Sequence, residues 1–208
     1  MKKKNIRIFT SKELELRNQG LKELKEIFDT LGLNFLLIDG VLLGAVREKN
    51  FIPWDWDVDL AIYPEKARPF IFKIADMAFQ KEFQITHIDT SYENLTLRLV
   101  KYQTEFSLDG FYEKDDKRIR GETWLPKEFF TNIQTIEFLG NQYYCPSPPE
   151  KFLEHVYGDW KTPKMVSPSA SMRSYMRKEM FLKKEFSFKI IRKKAIKRLI
   201  KYLSRWQC

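Results

Sequence analysis

The chain has 208 residues, enough for one domain or one domain with an appendage, and its 43% hydrophobic content supports a sizeable core. The net charge of +9 is concentrated at one end: residues 183–208 hold ten Lys/Arg and one acid, while residues 1–182 carry 27 basic and 27 acidic side chains. That balanced body argues against a nucleic-acid partner; two distant cysteines, Cys145 and Cys208, give neither a disulfide framework nor a zinc-ligand spacing, and no run approaches the ~20 apolar residues of a membrane span.

Ser11 reads as the N-cap of a helix over 12–31, with Leu14, Leu21, Leu24, Ile27 and Phe28 on one side and Gly32 as its stop. Residues 34–39 read as a buried strand. A short helix over 41–48 follows Gly40, and Pro53 sits in the loop after it. A second strand covers 57–63, and a helix covers 65–80. Strands are expected at 83–87, 95–102 and 105–112, the last two as a hairpin. Residues 113–120 are charged and read as a loop. A hairpin over 136–145 turns at Gly140-Asn141, and a helix over 149–157 ends at Gly158. Residues 161–171 read as a linker and 172–206 as a long helix, which divides the chain into a body, 1–163, and a tail, 164–208. Helices and strands in this order predict an α/β or α+β fold around one mixed sheet.

The chemistry concentrates in residues 39–60, DGVLLGAVREKNFIPWDWDVDL. An apolar strand runs into Gly40, Gly44 follows one turn later, then Arg47. Beyond the loop, Asp57 and Asp59 lie two apart in a strand and so share a face. Two carboxylates facing a dry site are best tolerated with a divalent cation between them. A glycine turn opening a helix beside such a pair suits a metal-bound nucleotide.

The wording resembles the LicD family of phosphorylcholine-type transferases, relatives of fukutin and the fukutin-related protein, within the nucleotidyltransferase fold. Gly40, Leu42, Leu43, Gly44, Ala45, Arg47, Phe51, Ile52, Pro53, Trp54, Asp55, Asp57 and Asp59 match its first motif in order and spacing. Pro146, Pro148, Leu153, Tyr157, Gly158, Asp159, Trp160 and Pro163 match a second, so the likeness spans residues 14–163. Two departures stand out. Val41 occupies a position where the family carries Thr or Ser, and Trp56 one where it carries Asp.

The resemblance implies a mixed sheet flanked by helices and a site that uses Mg2+, with Mn2+ as a substitute, held by Asp57 and Asp59. Asp109 is the candidate third carboxylate, completing the metal site or taking the acceptor proton, although Asp109-Gly110 is also a strong turn signal. Gly40, the Val41 and Leu42 N–H groups, Gly44 and Arg47 are the candidate nucleotide contacts; for Arg47 an exposed surface role weighs equally. Arg98 faces either the cleft or solvent. The implied donor is a CDP-alcohol such as CDP-choline, and the implied acceptor is a glycan, lipid-linked glycan or teichoic-acid precursor.

The tail pattern, with Phe188, Ile191, Ala195, Leu199, Tyr202 and Trp206 at helical spacing among lysines and arginines, predicts a basic amphipathic helix. Such a helix suits the inner face of the cell membrane and a cytoplasmic, peripheral location. Two other functions fit the same residues: a nucleotidyltransferase that releases pyrophosphate, and a non-catalytic membrane- or glycan-binding module.

Overall fold

The computed structural model describes residues 7–163 except Tyr92 and Glu122. The predicted linker beyond residue 163 and the basic tail lie outside the described residues.

Helix α1 spans Ser11–Thr30. Its N-cap is Thr10 rather than Ser11: the Thr10 hydroxyl accepts from the Glu13 N–H, and the Glu13 carboxylate accepts from the Thr10 N–H at 2.8 Å. This capping box satisfies two of the donors that a helix start leaves open. Gly32, at φ +65°, turns the chain after it. The first strand is shorter than its apolar run, β1 Leu36–Leu37 only, because Asp39 takes φ +48° and starts helix α2, Asp39–Leu43. The expected single helix over 41–48 is therefore this short α-helix continued by a π-helical turn, Gly44–Glu48.

Strand β2, Asp57–Ile62, leads into α3 (Pro64–Ala67), a 3-10 turn (Arg68–Phe70) and α4 (Ile71–Gln80). The predicted helix over 65–80 is broken at Pro69, which has no N–H to continue the ladder. Strands β3 (Gln84–Ser91), β4 (Asn94–Lys101) and β5 (Thr104–Gly110) follow. The β4–β5 hairpin turns through Tyr102 and Gln103, both left-handed, the two-residue turn that matches strand twist.

The expected charged loop over 113–120 is instead a second sheet. Strands β6 (Tyr112–Lys114), β7 (Lys117–Arg120) and β8 (Thr123–Pro126) pair antiparallel in that order. Helix α5 (Glu128–Thr131), the hairpin β9 (Gln134–Phe138) and β10 (Asn141–Cys145), and α6 (Pro149–Tyr157) complete the fold. The β9–β10 turn is Leu139-Gly140, one residue earlier than expected, since these two residues take positive φ. Among the described residues, no helix is long and apolar enough to cross a membrane.

The seven-stranded sheet has the order β3-β4-β5-β2-β1-β10-β9. Two pairs, β2–β5 and β1–β10, are parallel and the rest antiparallel, so the sheet is mixed as predicted. Its central strands have two unlike faces. On one, Val58, Leu60, Leu97, Leu99, Phe106 and Leu108 are fully buried. Helix α1 closes on that face so tightly that a Cβ at Gly20 would lie 2.6 Å from the Phe106 ring. The other face carries the charged side chains.

Candidate active site

Register places the charged residues side by side. In the parallel β2–β5 pair, Asp57 is opposite Glu105, Asp59 opposite Ser107, and Ala61 opposite Asp109. On the other flank of β5, Arg98 of β4 is opposite Ser107 and Thr96 opposite Asp109. Cross-strand partners share a face, so Asp57, Asp59, Glu105, Asp109 and Arg98 all project from the side away from the leucines. Asp57 and Asp109 are buried, and Asp59 is half-buried. Asp109 and Gly110 are the last two residues of strand β5 rather than a turn, and Gly110 is seated where a Cβ would lie 2.8 Å from Pro64 and 3.0 Å from Leu95.

Asp109 lies between two guanidinium groups. Its Oδ1 accepts from Thr96 Oγ1 at 3.1 Å and lies 3.6 Å from Arg98 Nη2, while its Oδ2 lies 3.6 Å from Arg120 Nη1. Arg98 also donates to Ser107 Oγ at 2.5 Å and to Glu105 at 3.4 Å, so it belongs to the cleft rather than to solvent. Arg120 reaches across from β7 and donates to Asp39 Oδ2 at 3.0 Å. Burial works against its charge, but Asp39, Asp109 and Asp59 outweigh that effect and hold its pKa above the ordinary arginine value. The strained backbone of Asp39 is thus tied to the strand carboxylates through one arginine.

A fully buried arginine lies at the other end of β2. Arg17 projects from α1 and is 1% exposed. It donates to the Asp55 carbonyl at 2.9 Å and packs its guanidinium 4.6 Å from the Phe9 ring centroid. Burial lowers its pKa, opposed by the charges of Asp55 and Asp57.

The glycine turn differs in detail from its expected use. A Cβ on Gly40 would lie 1.9 Å from Asp55 Oδ2, so this position is glycine to admit a carboxylate from the β2 approach. The Leu42 N–H, an expected phosphate contact, is already committed to the Ile38 carbonyl at 3.3 Å, because Ile38 caps α2. Val41 is buried, which accounts for an apolar side chain where the family has a hydroxyl. Gly44 is buried where a Cβ would lie 2.5 Å from the Asn50 carbonyl oxygen. Arg47 is not a surface arginine. It donates to the Trp160 carbonyl at 2.8 Å and to Glu48 at 2.7 Å, joining the glycine-turn segment to the Tyr157–Pro163 segment.

Among the described residues, no three His, Cys, Asp or Glu side chains converge as a metal cage. The donor set that β2 offers is the carboxylate pair Asp57 and Asp59. Magnesium is ordinarily held by one or two carboxylates, with substrate phosphates and water completing the shell, and the pair fits that mode. Arg17, Arg98 and Arg120 were the residues that sequence spacing missed or left unplaced. The signal available for Arg17 was a lone cation on the apolar side of α1.

A mixed sheet closed by helices on its apolar side, with a glycine turn and a carboxylate strand on the other, defines a nucleotidyltransferase-fold protein. The solution structure of the antibiotic-resistance factor ANT(2'')-Ia superposes with a TM-score of 0.51 over 93% of this chain and 94% of that one, at 15% identity. The family model described as "LicD/FKTN/FKRP, nucleotidyltransferase domain" matches residues 32–148, and the chain belongs to that family. Mouse ribitol 5-phosphate transferase FKRP is 49% identical over 150 residues, 64% of this chain and 29% of the relative. The lipopolysaccharide cholinephosphotransferase LicD of Haemophilus influenzae is 33% identical over 86 residues, 38% of this chain and 31% of the relative. The chain thus spans about a third of the length of these curated relatives.

Proposed function

We propose that this protein transfers a phospho-alcohol group from a CDP-alcohol to a hydroxyl of a cell-surface glycan. The observation that carries the reading is the charged sheet face, where the Asp57/Asp59 pair stands beside Asp109 with its two arginines. The relatives support the reaction class, since their names specify transfer of ribitol phosphate and of cholinephosphate.

In this reading the acceptor oxygen forms a bond to the distal phosphorus of the donor diphosphate. The bond from that phosphorus to the CMP oxygen breaks, and CMP leaves with its electron pair. Asp57 and Asp59 would hold Mg2+, or Mn2+ in its place, which would supply positive charge against the diphosphate. Arg98, anchored by Ser107 and Asp109, presents its partly exposed guanidinium to the same oxygens, a geometry suited to phosphate. Gly40, the Val41 N–H and Gly44 shape the turn against which the nucleotide sits. Arg47 positions that turn through Trp160. Asp109 receives the acceptor proton. Phosphoryl transition states are loose, so the base needs position more than strength, and an ion-paired carboxylate is adequate.

The test is CMP release from CDP-ribitol, CDP-choline and CDP-glycerol with Mg2+ and a glycan acceptor. Metal-dependent CMP from one donor, abolished by a chelator, is the expected outcome. Pyrophosphate from a nucleoside triphosphate, or no turnover and no Mg2+-dependent nucleotide binding, would overturn the assignment.

A further inference from the structure

Strand β7 has two working faces. Arg118 and Arg120 point inward, Arg118 to Glu65 and the Phe111 carbonyl, Arg120 to Asp39 and Asp109. Lys117 and Ile119 alternate with them and point outward. Ile119 pairs with Trp124 of β8, and Lys117 pairs with Lys114 of β6. Trp124 is 52% exposed, the Lys117 ammonium lies 4.6 Å from its ring centroid, and a groove of about 290 Å3 is lined by Lys114, Asp115, Lys117, Ile119 and Trp124. Apart from Lys117 and its cross-strand partner Ile119, the half-exposed indole faces solvent on a sheet otherwise rich in charge.

We propose that this groove binds a sugar unit of the acceptor glycan that carries or adjoins a phosphate. The proposal rests on the reading of the chain as a glycan-directed transferase and names the acceptor's chemistry. The exposed part of an indole with Ile119 beside it gives the flat apolar platform that the C–H face of a sugar ring covers, the weakly positive C–H edge meeting the negative π face. Lys114 and Lys117 against Asp115 leave the groove cationic, complementary to phosphate, while Asp115 accepts from sugar hydroxyls. The volume lies at the lower end of the roughly 300–1,000 Å3 of ligand pockets, the scale of a monosaccharide rather than a nucleotide. A protein partner would require roughly 800 Å2 of surface, far more than one groove between three short strands. Arg120 is the neighbour of Ile119, so a glycan held outside shares one strand with the site inside. Binding energy gathered on such remote sugars positions the reacting hydroxyl.

The test follows the Trp124 indole N–H by NMR, its signal identified by loss in Trp124→Phe. The full chain is titrated with a phosphorylated, deacylated lipopolysaccharide core oligosaccharide, with the same oligosaccharide after dephosphorylation, and with inorganic phosphate. The expected result is a saturable shift with the first, weakened roughly tenfold or more by Lys117→Ala, a weaker response to the second, and none to phosphate alone. In parallel, Trp124→Ala should raise the acceptor KM roughly tenfold while CMP release without acceptor is unchanged. An unmoved indole, or equal responses to all three probes, would overturn the proposal. A shift together with neither CDP-alcohol turnover nor Mg2+-dependent nucleotide binding would uphold the groove and reject the transferase reading, so the two fail separately.

Discussion

The β2 segment and the small sheet both deliver charge to the same face, by opposite routes. Asp57 and Asp59 share it because they are two residues apart on one strand, and any strand through them would do the same. Arg120 shares it because β7 folds back across 81 residues of sequence to meet Asp39. The first arrangement is local and depends on spacing. The second is topological and depends on the whole fold. In the proposed reaction the local pair forms the reactive centre, and long-range arginines set how the carboxylates around it are held.

Two substitutions rank those routes. Asp57→Ala removes one of the two carboxylates proposed to hold the cation, so turnover should fall at least ~10²–10³-fold, with the melting temperature little changed and Mg2+-dependent nucleotide binding lost. Arg120→Gln leaves both β2 carboxylates in place, removes the arginine from Asp39, and leaves Asp109 with Arg98 and Thr96 alone. Losing a hydrogen bond to a charged group is worth about 1.5–3 kcal/mol, so turnover should fall roughly 10–100-fold, read as CMP release at saturating donor. Arg120→Lys should not rescue it, because one ammonium cannot span two carboxylates as a fork does. A larger loss from Arg120→Gln than from Asp57→Ala would reverse the ranking and make the small sheet the reactive element.

The same contrast explains what could be read in advance. The shared face of Asp57 and Asp59 was legible because it follows from spacing in a contiguous stretch, and α1 and α6 because their apolar spacing and stops are local. The small sheet was hidden because its strands are three or four residues long and its inward residues, Arg118 and Arg120, are as charged as the outward Lys117. Alternation of apolar and polar residues, the usual mark of a strand, is absent there. Arg17 was hidden for a related reason: its partners come from the approach to β2 and from Thr104, and a helix wheel shows neither. A helix starting at Val41 would leave the Leu42 N–H open to a phosphate. With the helix starting at Asp39, that amide already has an acceptor.

Two glycines carry the comparison to its finest level. Gly40 is local to the motif yet set by contact, since an added Cβ would meet Asp55 Oδ2 at 1.9 Å. Gly40→Ala must push that carboxylate away from the Trp56 N–H to which Asp55 Oδ1 is bonded at 3.1 Å. Overpacking of this kind costs about 1–3 kcal/mol, and the displaced chain is the one leading to Asp57, so activity should fall along with stability. Gly121, in the β7–β8 turn, has φ +57° and nothing within 4 Å of an added Cβ. Gly121→Ala therefore meets only backbone strain, about 1 kcal/mol, and should lower the melting temperature slightly while donor turnover stays normal. Should Gly121→Ala instead depress turnover as Gly40→Ala does, the β7–β8 turn would be shown to hold Arg120 in place by its backbone alone, and the distinction between local and topological placement would narrow to the arginine itself.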